Sequence, residues 1–198
     1  MKLIMENFRK FLKEEAYKVI GAGIVKLNPG ASLKQKALKL QATLIPNIEG
    51  NGAKPLHADH LHITLLHQKA RPAGVSGGKW KKALKVLPDY ENPIGLEDKV
   101  TGPIQSGGRT SWLVFVDKST QVGLENYVKA VLLKVGLVNP DWGLDESAID
   151  ALIQAEGKLL ATKDYAEPKS LTRRFHISLA NISSDPAAEF ANKGESVA

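Results

Sequence analysis

Two short stretches of this chain carry residue types that can move protons and hold phosphate oxygens: His62-Ile63-Thr64-Leu65 and, 114 positions later, His176-Ile177-Ser178-Leu179. Side chains of an extended strand alternate between faces, so His62 and Thr64 share one face while Leu61, Ile63 and Leu65 share the other. The second copy repeats the arrangement, with His176 and Ser178 opposed to Phe175, Ile177 and Leu179. Imidazole titrates near neutral pH, so one histidine can take a proton while the other, held protonated, delivers one. Attack on phosphorus needs both services together with donors for the non-bridging oxygens, which the Thr64 and Ser178 hydroxyls can supply without a metal. A single histidine on an apolar strand reads as a packed core residue. Its copy shifts the reading to a cleft with two histidines in it.

The predicted elements give both motifs the same setting. Residues 21–27 read as a strand and Asn28-Pro29-Gly30 as a turn. Ser32 then caps a helix striped by Leu33, Ala37, Leu40 and Leu44, and residues 60–66 form the first His strand. In the second half, residues 110–117, entered from Ser106-Gly107-Gly108, read as the strongest strand. Residues 121–135 follow as a helix with Leu124, Val128, Val131 and Leu132 inward, and the second His strand lies within 169–182. This is an internal duplication of pattern. An insertion over about 139–168 lengthens the second half and holds a helix over 141–156, capped near Asp145. Outside the duplication lie an amphipathic helix over 5–16, a Gly- and Pro-rich loop over 71–78, a basic helix over 79–87, an irregular strand over 94–104 and a flexible tail over about 183–198.

At 198 residues with 43% apolar content the chain can bury one sizeable core, and a single α+β domain over 1–198 is expected. The absence of cysteine excludes disulfides, thiolate nucleophiles and cysteine-ligated metal sites. There is no apolar run of about 18 residues and no signal-peptide core near the N-terminus, so a soluble, cytoplasmic protein without a membrane partner is expected. A net charge of +6 leans toward anionic partners such as nucleotides or RNA.

The paired His-apolar-hydroxyl motifs, set in a duplicated strand-helix-strand pattern, make the chain resemble the 2H phosphoesterase superfamily over about residues 20–182. That superfamily includes the LigT-like RNA 2′,3′-cyclic phosphodiesterases, the 2′,5′-oligoadenylate phosphodiesterases and the phage anti-CBASS nucleases that destroy cyclic nucleotide signals. The resemblance implies a LigT-like fold of two pseudo-symmetric lobes of antiparallel strands, with helices packed outside and a central groove. It implies His62 and His176 as acid and base, Thr64 and Ser178 as phosphate donors, and no cofactor or metal. It also implies a phosphoric diester hydrolase acting on a small ribonucleotide, either a cyclic oligonucleotide signal or a 2′,3′-cyclic phosphate, including RNA ends. Similarity to the phage group rests on the Gly-Ile-Val-Lys-Leu strand, the Gly-Arg-Thr-Ser-Trp stretch and the N-terminal helix. A phage enzyme would work in the host cytoplasm.

Two other readings compete. His57, Asp59, His60 and His67 crowd the first motif and suggest a metallohydrolase, although the order His-x-Asp-His-x-His leaves only His176 as a later histidine ligand. A catalytically silent nucleotide- or RNA-binding module is the other. Four further residues are substrate-binding candidates. Arg109 could hold phosphate, Trp112 could stack on a base, Arg174 lies at the edge of the His176 face, and His60 shares the face of His62. Gly102 to Thr110 reads as a turn rather than a phosphate loop, because it lacks the lysine and precedes a strand.

Overall fold

The computed structural model describes residues 17–20, 23–48, 50, 52–67, 70–85, 90–106, 109–160 and 174–183. The expected helix over 5–16 and the tail beyond 183 lie outside the described residues.

Ile24–Leu27 (β2) sends Val25 and Leu27 inward and leaves Ile24 and Lys26 half-exposed on the other side. It pairs antiparallel with Tyr17–Ile20 (β1), a hairpin partner absent from the sequence reading. Gly23, just before β2, lies against the buried Trp80 indole. Gly23 adopts φ 106° there, and a Cβ would stand 2.3 Å from Trp80 Cδ1, so only glycine fits. Ala31–Ile48 (α1) begins before Ser32, which therefore sits in the first turn rather than at the cap. The helix runs on through Pro46 to Ile48. After it come Lys54–Pro55 (β3), a single turn of 3-10 helix over Ala58–His60, and Ile63–Leu66 (β4). Gly77–Leu84 (α2) follows, with the Ser76 hydroxyl accepting from the Lys79 N–H at its start.

In the second half Thr101–Ser106 (β5) and Arg109–Phe115 (β6) form a hairpin. Regular pairing thus starts at Thr101 rather than Ile94; the chain before it adds only a bridge between Leu96 and Val116. Lys118–Val138 (α3), the turn Pro140–Trp142, Glu146–Leu160 (α4) and His176–Ser183 (β7) complete the chain.

One offset superimposes the long helices of the two halves. α1 starts at Ala31 and α3 at Lys118, 87 positions on, and the same step carries buried Leu33, Ala37, Gln41, Leu44 and Ile48 onto buried Thr120, Leu124, Val128, Val131 and Val135. The sheet order β1-β2-β4-β7-β6-β5 reads alike from both edges, as outer hairpin strand, inner hairpin strand and His strand. β3 joins off this path by pairing with β7. The fold is thus α+β with one antiparallel sheet of seven strands. The two repeats are not separate lobes facing across a gap: their His strands are neighbours at the centre of a continuous sheet, because β4 and β7 hydrogen-bond directly.

Helices lie on one face. Buried side chains of all four described helices join Leu27, Ile63, Val114 and Ile177 in one apolar cluster. Each long helix crosses to the other repeat, α1 packing on β7 and α3 on β4. The buried Gln41 Nε2 donates to the carbonyls of Leu56 and Leu179, 2.8 and 2.6 Å away, which ties β3 and β7 to α1. None of the described helices is long and apolar enough to cross a membrane.

Asp117 caps α3, its Oδ1 accepting from the Thr120 N–H at 2.8 Å and the Ser119 hydroxyl at 2.9 Å. Gly95 packs so close that a Cβ there would overlap the Asp117 carboxylate. The Thr120 backbone bond, helped by the hydroxyls of Thr120 and Ser119 and by Lys36, holds the Asp117 carboxyl below its ordinary value of 3.8. A depressed folded value means that the stabilisation is complete above pH 3.8 and is lost as pH falls through the lower folded value. Asp117→Ala is expected to cost about 1 kcal/mol at pH 7. The gap from wild type should close on acidification below the unfolded value, as measured by urea denaturation at a series of pH values.

Candidate active site at the centre of the sheet

Ile63 pairs with Ile177 across the antiparallel β4–β7 ladder, and both are fully buried among the helices. Counting outward from that pair, Thr64 stands opposite His176 and His62 opposite Ser178. All four are half-exposed, on the face away from the helices, while Leu61, Leu65, Phe175 and Leu179 are buried with the isoleucines. The alternation expected from sequence therefore holds at each of these positions. A twofold axis through the isoleucine pair exchanges His62 with His176 and Thr64 with Ser178. The two histidines lie on a diagonal, with Cα atoms roughly 7–8 Å apart.

Both strands break alternation at the same place. Val25 pairs with Leu66 and Lys26 with Thr64, skipping Leu65; Trp112 pairs with Ala180 and Leu113 with Ser178, skipping Leu179. These are β-bulges, each beginning one residue after the motif hydroxyl, and both members of each bulge (Leu65 and Leu66; Leu179 and Ala180) point into the core. The polar face of each His strand thereby ends just beyond Thr64 and Ser178.

The imidazoles are anchored alike. His62 Nδ1 lies 2.6 Å from the carbonyl of His60, and His176 Nδ1 lies 3.1 Å from the carbonyl of Arg174. A carbonyl only accepts, so Nδ1 carries the proton in both rings. The anchors themselves are held differently. His60 ends the 3-10 turn, which is tied down by Lys34 Nζ at 3.0 Å from Asp59 Oδ1. The Lys34 hydrogen bond and charge hold the exposed Asp59 carboxyl below its ordinary range. Arg174 is clamped by its own side chain: Nη2 lies 2.6 Å from Glu97 Oε1, and the guanidinium carbon lies 3.7 Å above the Phe115 ring. The edge of the same ring meets His176, with centroids 6.2 Å apart.

The four substrate-binding candidates fare differently. Arg174 stands beside the quartet, where its guanidinium already faces Glu97 and Phe115 and its carbonyl orients His176. His60 is close too, but it serves through its carbonyl, while its ring is exposed 6.3 Å from that of His57. Trp112 belongs to the core. It shares the face of Val114 and is 6% exposed, so its indole offers no surface for stacking. Arg109 pairs with Ser183 at the far end of β6, five positions along β7 from Ser178, or roughly 16 Å at strand rise. Neither belongs with the quartet. Sequence reasoning missed Lys26, the cross-strand partner of Thr64, and Glu97, which reaches Arg174 from 77 positions away. The alternation of Val25 and Leu27 marked Lys26 as outward-facing, but nothing in the chain order placed β2 beside β4.

Among the described residues no group of three or more His, Asp or Glu side chains converges as metal ligands would. An apolar depression of about 340 Å³ lies against α4 and the Pro140–Trp142 turn, lined by Trp142, Leu144 and Leu152, and no residue of the quartet borders it. Compared with family models, curated proteins and solved structures, the chain matches none.

The Glu97–Arg174 pair is only about one-third exposed at each end, so a double-mutant cycle with Glu97→Ala and Arg174→Ala should return a coupling of about 1 kcal/mol in chemical denaturation. Additive losses would show that the pair contributes nothing as a pair.

Proposed function

We propose that the protein is a metal-independent phosphodiesterase of the 2H type acting in the cytoplasm on small ribonucleotides, with cyclic oligonucleotide signals and 2′,3′-cyclic phosphates as its substrates. The single observation that supports this reading is the pair of imidazoles set diagonally about Ile63–Ile177, each with Nδ1 turned to a backbone carbonyl and each with a hydroxyl residue two positions on. The palindromic strand order and the matched bulges are compatible with the duplicated pattern that the motifs suggest.

On a 3′,5′ linkage the neutral imidazole accepts the ribose 2′-OH proton at Nε2 as that oxygen attacks phosphorus. The protonated imidazole delivers its Nε2 proton to the departing 5′-oxygen. Thr64 and Ser178 donate to the two non-bridging oxygens, where their bonds strengthen as charge builds. On a 2′,3′-cyclic phosphate the nucleophile is water, which gives its proton to the neutral imidazole as it attacks phosphorus, while the protonated imidazole delivers its proton to the departing ribose oxygen. An exchange of roles between the histidines resets the site for the reverse proton movements.

Incubation with cyclic dinucleotides, cyclic trinucleotides, 2′,5′-oligoadenylate and 2′,3′-cyclic nucleotides in EDTA, followed by chromatography, should show cleavage of at least one class. His62→Ala and His176→Ala should each lower turnover by about 10³-fold or more with an unchanged thermal midpoint, because both rings stand on the half-exposed face. The wild-type rate should be bell-shaped in pH. Full activity in either variant, or wild-type activity that disappears in EDTA and returns with zinc or manganese, would sink the proposal.

A further inference from the structure

The axis through Ile63 and Ile177 relates the four polar residues to one another but not the residues that flank them. On the β4 side the cross-strand partner of Thr64 is Lys26; on the β7 side the partner of Ser178 is Leu113, the residue 87 positions after Lys26. Leu113 is fully buried in a small apolar cluster with Ile104 and Phe115. Lys26 is half-exposed, turned away from the buried Val25 and Leu27 and toward the face of the quartet. A row across the sheet therefore runs Lys18, Lys26, Thr64, His176, Phe115, with two lysine positions on one side of the Thr64–His176 pair and Phe115 on the other. Neighbouring side chains in such a row have Cβ atoms about 4.5–5.5 Å apart, which the four-carbon lysine stem spans easily.

The geometry points to Lys26 as the residue that binds the substrate phosphate on the Thr64 side and gives the pseudo-symmetric site a direction. The phosphodiester as substrate rests on the function proposed above; the anion-binding role rests on the register alone. A phosphodiester bears one negative charge shared by two non-bridging oxygens. The oxygen between Thr64 and Lys26 receives a charge-assisted bond, roughly twice as strong as a neutral one, whereas the oxygen at Ser178 receives a hydroxyl only. Without Lys26 the phosphate could lie either way round; with it, one orientation is favoured, and each histidine keeps a fixed partner oxygen.

The test is calorimetric titration of wild type, Lys26→Gln and Lys26→Arg with adenosine 2′-monophosphate and with adenosine, alongside turnover of whatever substrate the panel identifies. The monophosphate should bind Lys26→Gln about tenfold more weakly than wild type, adenosine binding should not change, and Lys26→Arg should recover most of the loss. On a cleaved substrate, kcat/KM of Lys26→Gln should fall on the order of 10²-fold. Lys26→Met takes its place should the glutamine variant not fold. Wild-type affinity for the monophosphate in a folded variant overturns the assignment, as does an equal loss for adenosine, or a wild type that does not bind the monophosphate. Failure of the phosphodiesterase reading looks different: the monophosphate binds through Lys26, yet nothing in the panel is cleaved.

Discussion

The direct pairing of Ile63 with Ile177 is the constraint on which the rest depends. Two fully buried isoleucines from opposite halves meet at the middle of the sheet, under helices contributed by both halves. Side chains alternate along both strands, so burying this pair drives His62, Thr64, His176 and Ser178 to the other face together. A slip of one residue in either strand would put a histidine in the core and an isoleucine in solvent. The hydrophobic effect therefore sets the position of the polar quartet, and the quartet needs no contacts of its own to be assembled.

Upon that frame the halves share some devices and differ in others. The bulge after each hydroxyl residue and the carbonyl behind each Nδ1 recur at matched positions, so the surroundings of the two imidazoles are built the same way twice. Divergence sits around them. One carbonyl is held by an exposed turn and the other by a clamped arginine; one flank is lysine and the other leucine. Such a division fits a reaction whose two proton transfers are chemically alike but whose substrate has two different ends.

Much of this was legible in the chain. The two His-apolar-hydroxyl stretches, the stripe through Leu33, Ala37 and Leu44 and its partner through Leu124, Val128 and Val131 all follow from period and polarity. What stayed hidden depends on tertiary neighbours. β1 and β3 are too short and too weakly patterned to announce themselves. Trp112 suggested a stacking surface because a strand buried on both faces, with Leu113 and Phe115 opposite Trp112 and Val114, gives no polar side from which to judge. The adjacency of the His strands, rather than their facing across a gap, is set by which edges pair, and local sequence does not encode that choice.

The crossing of each long helix onto the other repeat's strand has a consequence for how the molecule comes into being. Ile63 and Ile177 are 114 positions apart, and α1 reaches β7 over a longer interval still. Contacts so distant in sequence are entropically costly to close and slow to form. Neither half can finish its own apolar layer first, because the helix that would cover its central strand belongs to the other. The two His strands can therefore pair only once most of the chain is present.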